Sequence, residues 1–375
     1  MIQANYFLYA LILGFLFLIK MFCLEDATSR SVFIQRTLVI FSLVFVSTVF
    51  AFRALNGTGD TSLYLEILGR TRGSGILDSL GIVSYGLGKF SEPFFWSLFI
   101  LLDKVLANDR AVLFTLMLFS LSFMAMAYRQ CDKKYYLFAL FLFFLSASFV
   151  NMYANALRQS LALPFVILAV LASSRKNHLS LILFITCALL SHLPSGLLSL
   201  LSLLVWGNRI SYKLLFATLP AFYIIGISGL VFKFINFSKI YSTIDSNYTF
   251  NYGHVVSLLF FFSQLFYLKN GSRDVVQGEI AKAEVSLEFE ALLKFTLIIF
   301  LIQNVFILNS FSYNRIGAVK FCVEPLLYSI FILNYMRPRV LAFVLLLGVG
   351  LLYSVLVYSN DSILSILGDE GIFTG

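Results

Sequence analysis

The strongest constraint on this chain is a succession of apolar runs, each about as long as a bilayer is thick. Crossing a hydrocarbon core takes roughly 20 consecutive apolar residues in a helix. Runs near 5–23, 36–54, 110–128, 135–153, 158–174, 214–232, 254–268, 291–311, 316–336 and 340–358 meet or approach that length. With 60% hydrophobic and 12% charged residues over 375 positions, there is too little polar surface to hide these helices inside a water-soluble shell. The expected fold is an all-α polytopic membrane protein. No repeat or low-complexity tract divides it, so residues 1–375 are read as a single integral membrane domain.

Two stretches decide the topology. Residues 94–106 are short for a span and carry Asp103 and Lys104, which suits an interfacial helix. Residues 179–206 form one apolar run broken at Ser191-His192-Leu193-Pro194, where Pro194 removes a helix hydrogen bond and disfavours helix geometry at Leu193. The loops 20–36, 129–134, 174–178, 207–213, 269–290 and 337–339 are rich in Lys and Arg and belong on the cytoplasmic side. All six share that side only if 94–106 does not cross and 179–206 turns back as a short re-entrant hairpin. The result is about twelve crossings, with both termini outside. Loops 55–109 and 233–253 then lie outside, the first with short helices, and 269–290 is a cytoplasmic loop followed by a charged helix. Each hairpin arm is about 20 Å long, short of a core about 30 Å thick. His192 is thus expected at the bottom of an outward-facing cavity.

The remaining composition fits this frame. The net charge of +8 follows from the basic loops and needs no nucleic-acid partner. Cys23, Cys131, Cys187 and Cys322 are far apart and lie in or beside apolar spans, which indicates neither a disulfide framework nor a metal cluster. Met1–Tyr6 carries no basic residue and the first apolar run ends at Lys20, so no cleavable leader is expected.

Charged residues beside spans are costly unless they snorkel or serve a site, and several fall on the outer side. Asn155-Ala-Leu-Arg158-Gln159-Ser-Leu-Ala162 places an arginine where one helix ends and the next begins. Loop 55–109 adds Arg53, Asp60-Thr61, Tyr64 and Glu92-Pro93, and the later chain adds His192, Asn314 and Arg315. Each has a plain structural reading. Arg53 and Arg315 could snorkel at helix ends, Asp60 could cap a helix, and Glu92 could serve as a first-turn charge. His192 stands out from His178 and His254 because it alone occupies a break in a span.

In this order, these elements resemble the EpsG-like family of Wzy-type polysaccharide polymerases. The resemblance runs from Arg53 through Asp60-Thr61 to Tyr64, then Glu92-Pro93, Leu157-Arg158-Gln159-Ser-Leu-Ala162, Leu190-Ser191-His192-Leu-Pro-Ser195-Gly-Leu and Asn314-Arg315-Ile316, which covers most of the chain. The chain departs from the family pattern at Gly317-Ala-Val-Lys320, where an aromatic pair is expected. The resemblance implies a GT-C-like helical enzyme of the bacterial inner membrane, without cofactor or metal. It would polymerise undecaprenyl-diphosphate-linked oligosaccharide repeat units on the periplasmic side, for O-antigen, capsule or exopolysaccharide. Its partners would be that substrate, membrane lipids and a chain-length regulator.

The residues suit that chemistry. Arginine pairs phosphate oxygens bidentately and keeps its proton, so Arg158 is expected as the diphosphate clamp, assisted by Arg315 and Arg53. Gln159, Tyr64 and Asn314 are expected to contact substrate; Tyr64 is among several outer tyrosines able to stack on sugars, although packing is the usual role of such rings and the favoured one here. The base that takes the acceptor proton is expected to be His192, then Asp60, then Glu92. No Gly-rich phosphate loop or Asp-x-Asp pair points to a nucleotide sugar. The rival readings are an O-antigen ligase, a transporter of lipid-linked oligosaccharide and a membrane O-acetyltransferase. Charges gathered at one face rather than along a path argue against transport.

Overall fold

The structure, a computed structural model, describes residues 2–22, 29–53, 60–87, 92–228, 261–263, 273–276, 279–282, 286–335 and 339–358. The loop expected at 233–253 and nearly all of the span expected at 254–268 lie outside the described residues, as do Asn56–Gly59.

The described chain is helical nearly throughout. It opens with α1 (Ile2–Phe22) and α2 (Ser29–Ala51), followed by three helices of the expected outer loop, α3 (Asp60–Thr71), α4 (Ile76–Leu87) and α5 (Pro93–Leu106). Next come α6 (Asp109–Cys131), α7 (Tyr136–Leu145), α8 (Ala147–Ala154) and α9 (Leu157–Ser174). The expected hairpin is α10 (His178–Ser191), α11 (Leu193–Ser199) and a 3₁₀ stretch, Leu200–Asn208. The chain continues through α12 (Tyr212–Ile227), α13 (Leu287–Val305), α14 (Ser310–Tyr335) and α15 (Arg339–Tyr358).

Among the described residues, four helical stretches are long and apolar enough to cross a membrane: Phe33–Ala51, Asp109–Cys131, Leu157–Ser174 and Ser312–Asn334. A fifth crossing forms if α7 and α8, bent by 74°, are one span. Shorter apolar helices accompany them, among them Leu8–Ile19, Tyr212–Ile227 and Leu341–Val355. This is a multi-pass membrane protein.

Local chemistry explains where the structure departs from the sequence pattern. The single span expected at 135–153 is broken at Ser146, whose Oγ donates to the Phe143 carbonyl at 2.7 Å and accepts from the Phe149 amide at 3.1 Å. A serine that bonds its own backbone in this way ends one helix and caps the next. The charged helix expected at the end of the 269–290 segment is the first turn of a longer helix. Ser286 caps α13, and Glu288 and Glu290 sit at its positive end. Before it, Arg273–Val276 pairs antiparallel with Glu279–Lys282.

At the centre stands α9, packed against α6, α10, α11, α13 and the 3₁₀ stretch. Every residue of α9 is buried except Arg158. Pro164 lies inside it and removes the amide that would bond the Ser160 carbonyl. Ser120 of α6 repairs the loss by donating to that carbonyl at 2.7 Å, while Tyr153 of α8 lies 2.9 Å from the Ser120 hydroxyl. The reversal at His192 is tight. Gly196 rests directly on the Leu189 backbone, where a Cβ would not fit. The far ends of the two arms meet where the His178 ring packs on Trp206, with ring centroids 4.4 Å apart.

Removing the Ser120 hydroxyl should strand a buried carbonyl at a cost of about 1–3 kcal/mol. Ser120→Ala is therefore expected to unfold at lower temperature in detergent. Adding Pro164→Ala, which returns an amide to Ser160, should recover most of the loss. A double variant as unstable as the sum of the singles would contradict this repair.

Candidate functional site

Arg158 emerges at the first turn of α9, where the chain has just broken out of α8 through Asn155 and Ala156. Three outer-loop side chains meet it. Its Nη1 donates to Glu92 Oε2 at 2.6 Å, its Nε to the Tyr64 hydroxyl at 3.0 Å, and its Nη2 reaches Asp60 Oδ2 at 3.5 Å. The guanidinium also lies over the Tyr64 ring, 5.7 Å from its centroid. Two carboxylates and a cation–π contact therefore hold one charge in place.

The spacing of these partners follows from the helices that carry them. Asp60 and Tyr64 are one turn apart on α3, and the Tyr64 hydroxyl donates to Asp60 Oδ2 at 3.3 Å. Burial raises the Tyr64 phenol above its ordinary range, so it stays a proton donor. The amide of Asp60 donates to Asn155 Oδ1 at 2.6 Å, which ties the start of α3 to the α8–α9 break. Glu92 occupies the cap position of α5, which Pro93 begins, and its side chain makes no bond to that helix. Its carboxylate is free to bridge, and Oε1 accepts from the Leu193 amide at 3.4 Å, at the hairpin break.

At that break His192 is buried, with its Nδ1 2.9 Å from the Ser195 hydroxyl and 3.4 Å from the Ser195 amide. Arg158 and Arg315 are the charges that act on its ring. The structure thus brings Arg158, Asp60, Glu92, Tyr64 and His192 into one neighbourhood, with Arg315 on its edge.

Other expected substrate contacts are engaged elsewhere. Arg53 is 2% exposed, and its donors serve the Thr61 hydroxyl at 2.9 Å and the carbonyls of Phe50 and Ala154. It fastens the ends of α2 and α8 together, because helix C-termini present carbonyls that a guanidinium can satisfy. Gln159 donates to the Arg315 carbonyl at 3.0 Å and so anchors the first turn of α14. Tyr64 is fully buried among Phe95, Trp96 and Phe99, so its ring packs the outer helices and does not stack on a sugar. Asn314 is exposed and Arg315 half-buried.

Two residues that hold the site were not singled out as site candidates from the sequence. Asn155 has been described. Gln303 of α13 donates to the Tyr313 carbonyl at 3.3 Å, and its amide fills the space over Gly317 that a side chain would occupy. The departure from the family pattern at Gly317 is thus the notch that admits Gln303. An amide near the end of an apolar run was the available signal.

Residues 33–367 match the family model described as the EpsG family. The chain belongs to the EpsG family. In this EpsG-family protein the matched stretch takes in every polar group just described. No match was found among curated proteins or among solved structures.

Arg158 and Glu92 should be coupled energetically. Arg158→Gln and Glu92→Gln are each expected to lower the unfolding temperature of this EpsG-family protein. The double variant should fall short of their sum by about 1–3 kcal/mol. Additive losses would show that the pair does not form.

Proposed function

We propose that this protein is a membrane glycosyltransferase that joins oligosaccharide repeat units carried on undecaprenyl diphosphate, at the periplasmic face of the bacterial inner membrane. The observation that carries this reading is Arg158. It is the one side chain of an otherwise buried helix that is not itself fully buried, carboxylates from the starts of two other helices aim it, and its charge and that of Arg315 both act on His192. Family membership supports a polysaccharide polymerase. A GT-C-like architecture suits the helical outer segment α3–α5.

In this reaction a hydroxyl of the incoming unit attacks the anomeric carbon of the growing glycan. The bond from that carbon to the lipid diphosphate breaks, and its electron pair stays on the diphosphate oxygen. The hydroxyl proton passes to a base. Negative charge therefore grows on phosphate oxygens as the transition state forms. A planar guanidinium with fixed orientation can answer that charge without reorganising, which is where positioned donors have most effect. Glu92 and Tyr64 keep Arg158 in that orientation, and Gln159 holds Arg315 on the other side. Glu92 has both oxygens engaged and serves as the positioning group. The candidates for the base are His192 and Asp60.

Loss of the Arg158 fork should slow polymerisation by about 10²–10³-fold. Arg158→Ala cells are expected to accumulate single lipid-linked units at the outer leaflet. Arg158→Lys should recover little, because a point charge does not reproduce bidentate pairing. Units trapped at the inner leaflet would indicate a transporter instead.

A further inference from the structure

The cap geometry at the hairpin break fixes which nitrogen of His192 can carry a proton. His192 is the N-cap of α11, and Ser195 is the third residue of that helix. The amide of such a residue has no partner within its own helix and needs an acceptor, here all the more because Ser195 is buried. Nδ1 of His192 meets that amide at 3.4 Å and the Ser195 hydroxyl at 2.9 Å. A proton on Nδ1 would set two donors against each other and strand the Ser195 amide. The remote Nε2 could not reach the amide by any rotation of the ring about its own bond to Cβ, since it lies on the far side. The neutral ring therefore carries its hydrogen on Nε2.

Nε2 has no hydrogen-bond partner among the described residues. A nitrogen that already carries a hydrogen donates; it has no lone pair with which to accept one. The carboxylates differ in a complementary way. Both oxygens of Glu92 are occupied, by Arg158 and by the Leu193 amide. Asp60 is 32% exposed at its side chain and commits only Oδ2, to Tyr64 and Arg158. Its Oδ1 is open among the described residues.

We propose that His192 meets the substrate as an N–H donor to the lipid diphosphate and that Asp60, through Oδ1, receives the acceptor proton. This rests on the polymerase reading and reverses the order of bases expected from intrinsic acidity alone. As the acceptor oxygen bonds to the anomeric carbon, the bond to the diphosphate oxygen breaks and takes its electron pair there. Nε2–H and Arg158 donate to the diphosphate, and the hydroxyl proton moves to Asp60. Two cationic arginines around a neutral donor ring form an anion-binding edge, while Asp60 faces it from α3.

The tautomer can be read without any substrate, by nitrogen-15 NMR of the full chain in lipid nanodiscs with labelled histidine. Comparison with His192→Gln assigns the signal among the three histidines. The expected spectrum shows hydrogen on Nε2 and a bare Nδ1; hydrogen on Nδ1 would overturn the proposal. Rates are then measured on lipid-linked units isolated from Arg158→Ala cells. Glutamine can place an amide donor near the position of Nε2, whereas asparagine restores only the cap acceptor. His192→Gln should lose clearly less rate than His192→Asn. His192→Asn should fold normally and lose about 10²-fold, and Asp60→Asn should lose about 10²–10⁴-fold. If His192→Gln fell as far as Asp60→Asn while its cap and fold were intact, His192 would be the base and the proposal would fail. If the wild type lengthened no chains but showed hydrogen on Nε2, the polymerase reading would fail and the donor assignment at His192 would stand.

Discussion

A guanidinium at the edge of an apolar helix bundle needs negative partners, and the arrangement of the outer helices follows from that need at Arg158. The central helix α9 is otherwise wholly buried, so its first turn is the one place where it can offer a charge outward. Glu92 and Asp60 come from the starts of two separate helices, which also pack on each other through Tyr64 and Phe95. Glu92 sits at the cap position before α5, and Asp60 begins α3. Their convergence on one side chain fixes both helices relative to the bundle. Desolvating such charges is expensive unless geometry and further hydrogen bonds compensate. The Tyr64 hydroxyl and the Leu193 amide supply those bonds.

The same logic extends to the backbone. In a hydrocarbon surrounding, every amide and carbonyl released by a helix break must find a partner inside the protein. The breaks near this site are matched by side chains within it. Arg53 and Thr61 take the Ala154 carbonyl, Asn155 takes the Asp60 amide, Glu92 takes the Leu193 amide, and His192 takes the Ser195 amide. Polar residues therefore gather at the breaks because the breaks need them. A substrate anion would enter a neighbourhood already organised to place donors and acceptors.

The sequence made much of this legible. Run lengths and basic loops were enough for a multi-pass helical protein, and Pro194 was enough to place the reversal at His192. The stretch Asn155–Ala162 pointed to Arg158 because Asn155 and Gln159 surround that charge with more polarity than anchoring at a membrane boundary needs. What the sequence concealed was direction. Arg53 looked like an outer-face cation that either snorkels or assists Arg158, yet it turns inward onto carbonyls, a choice set by helix ends remote in sequence. For Tyr64 the sequence left open stacking on a sugar or packing, its usual role, and its ring packs in the gap between α3 and α5. The break at Ser146 was hidden because the run before it is uniformly apolar and Ser148, two residues on, offers the same signal.

Double duty at these positions shapes how the site can be understood. A residue that both caps a helix and faces substrate cannot have its two roles separated by deletion, because truncation strands a backbone group as it removes the functional one. His192 shows the principle most sharply. The backbone claims Nδ1, and that claim decides what Nε2 can do. A catalytic histidine placed in mid-helix would be free to choose its tautomer, whereas one placed at a cap is chosen for. Fold and chemistry meet in that constraint, for the buried amide of Ser195 determines the proton inventory of the site before any substrate arrives.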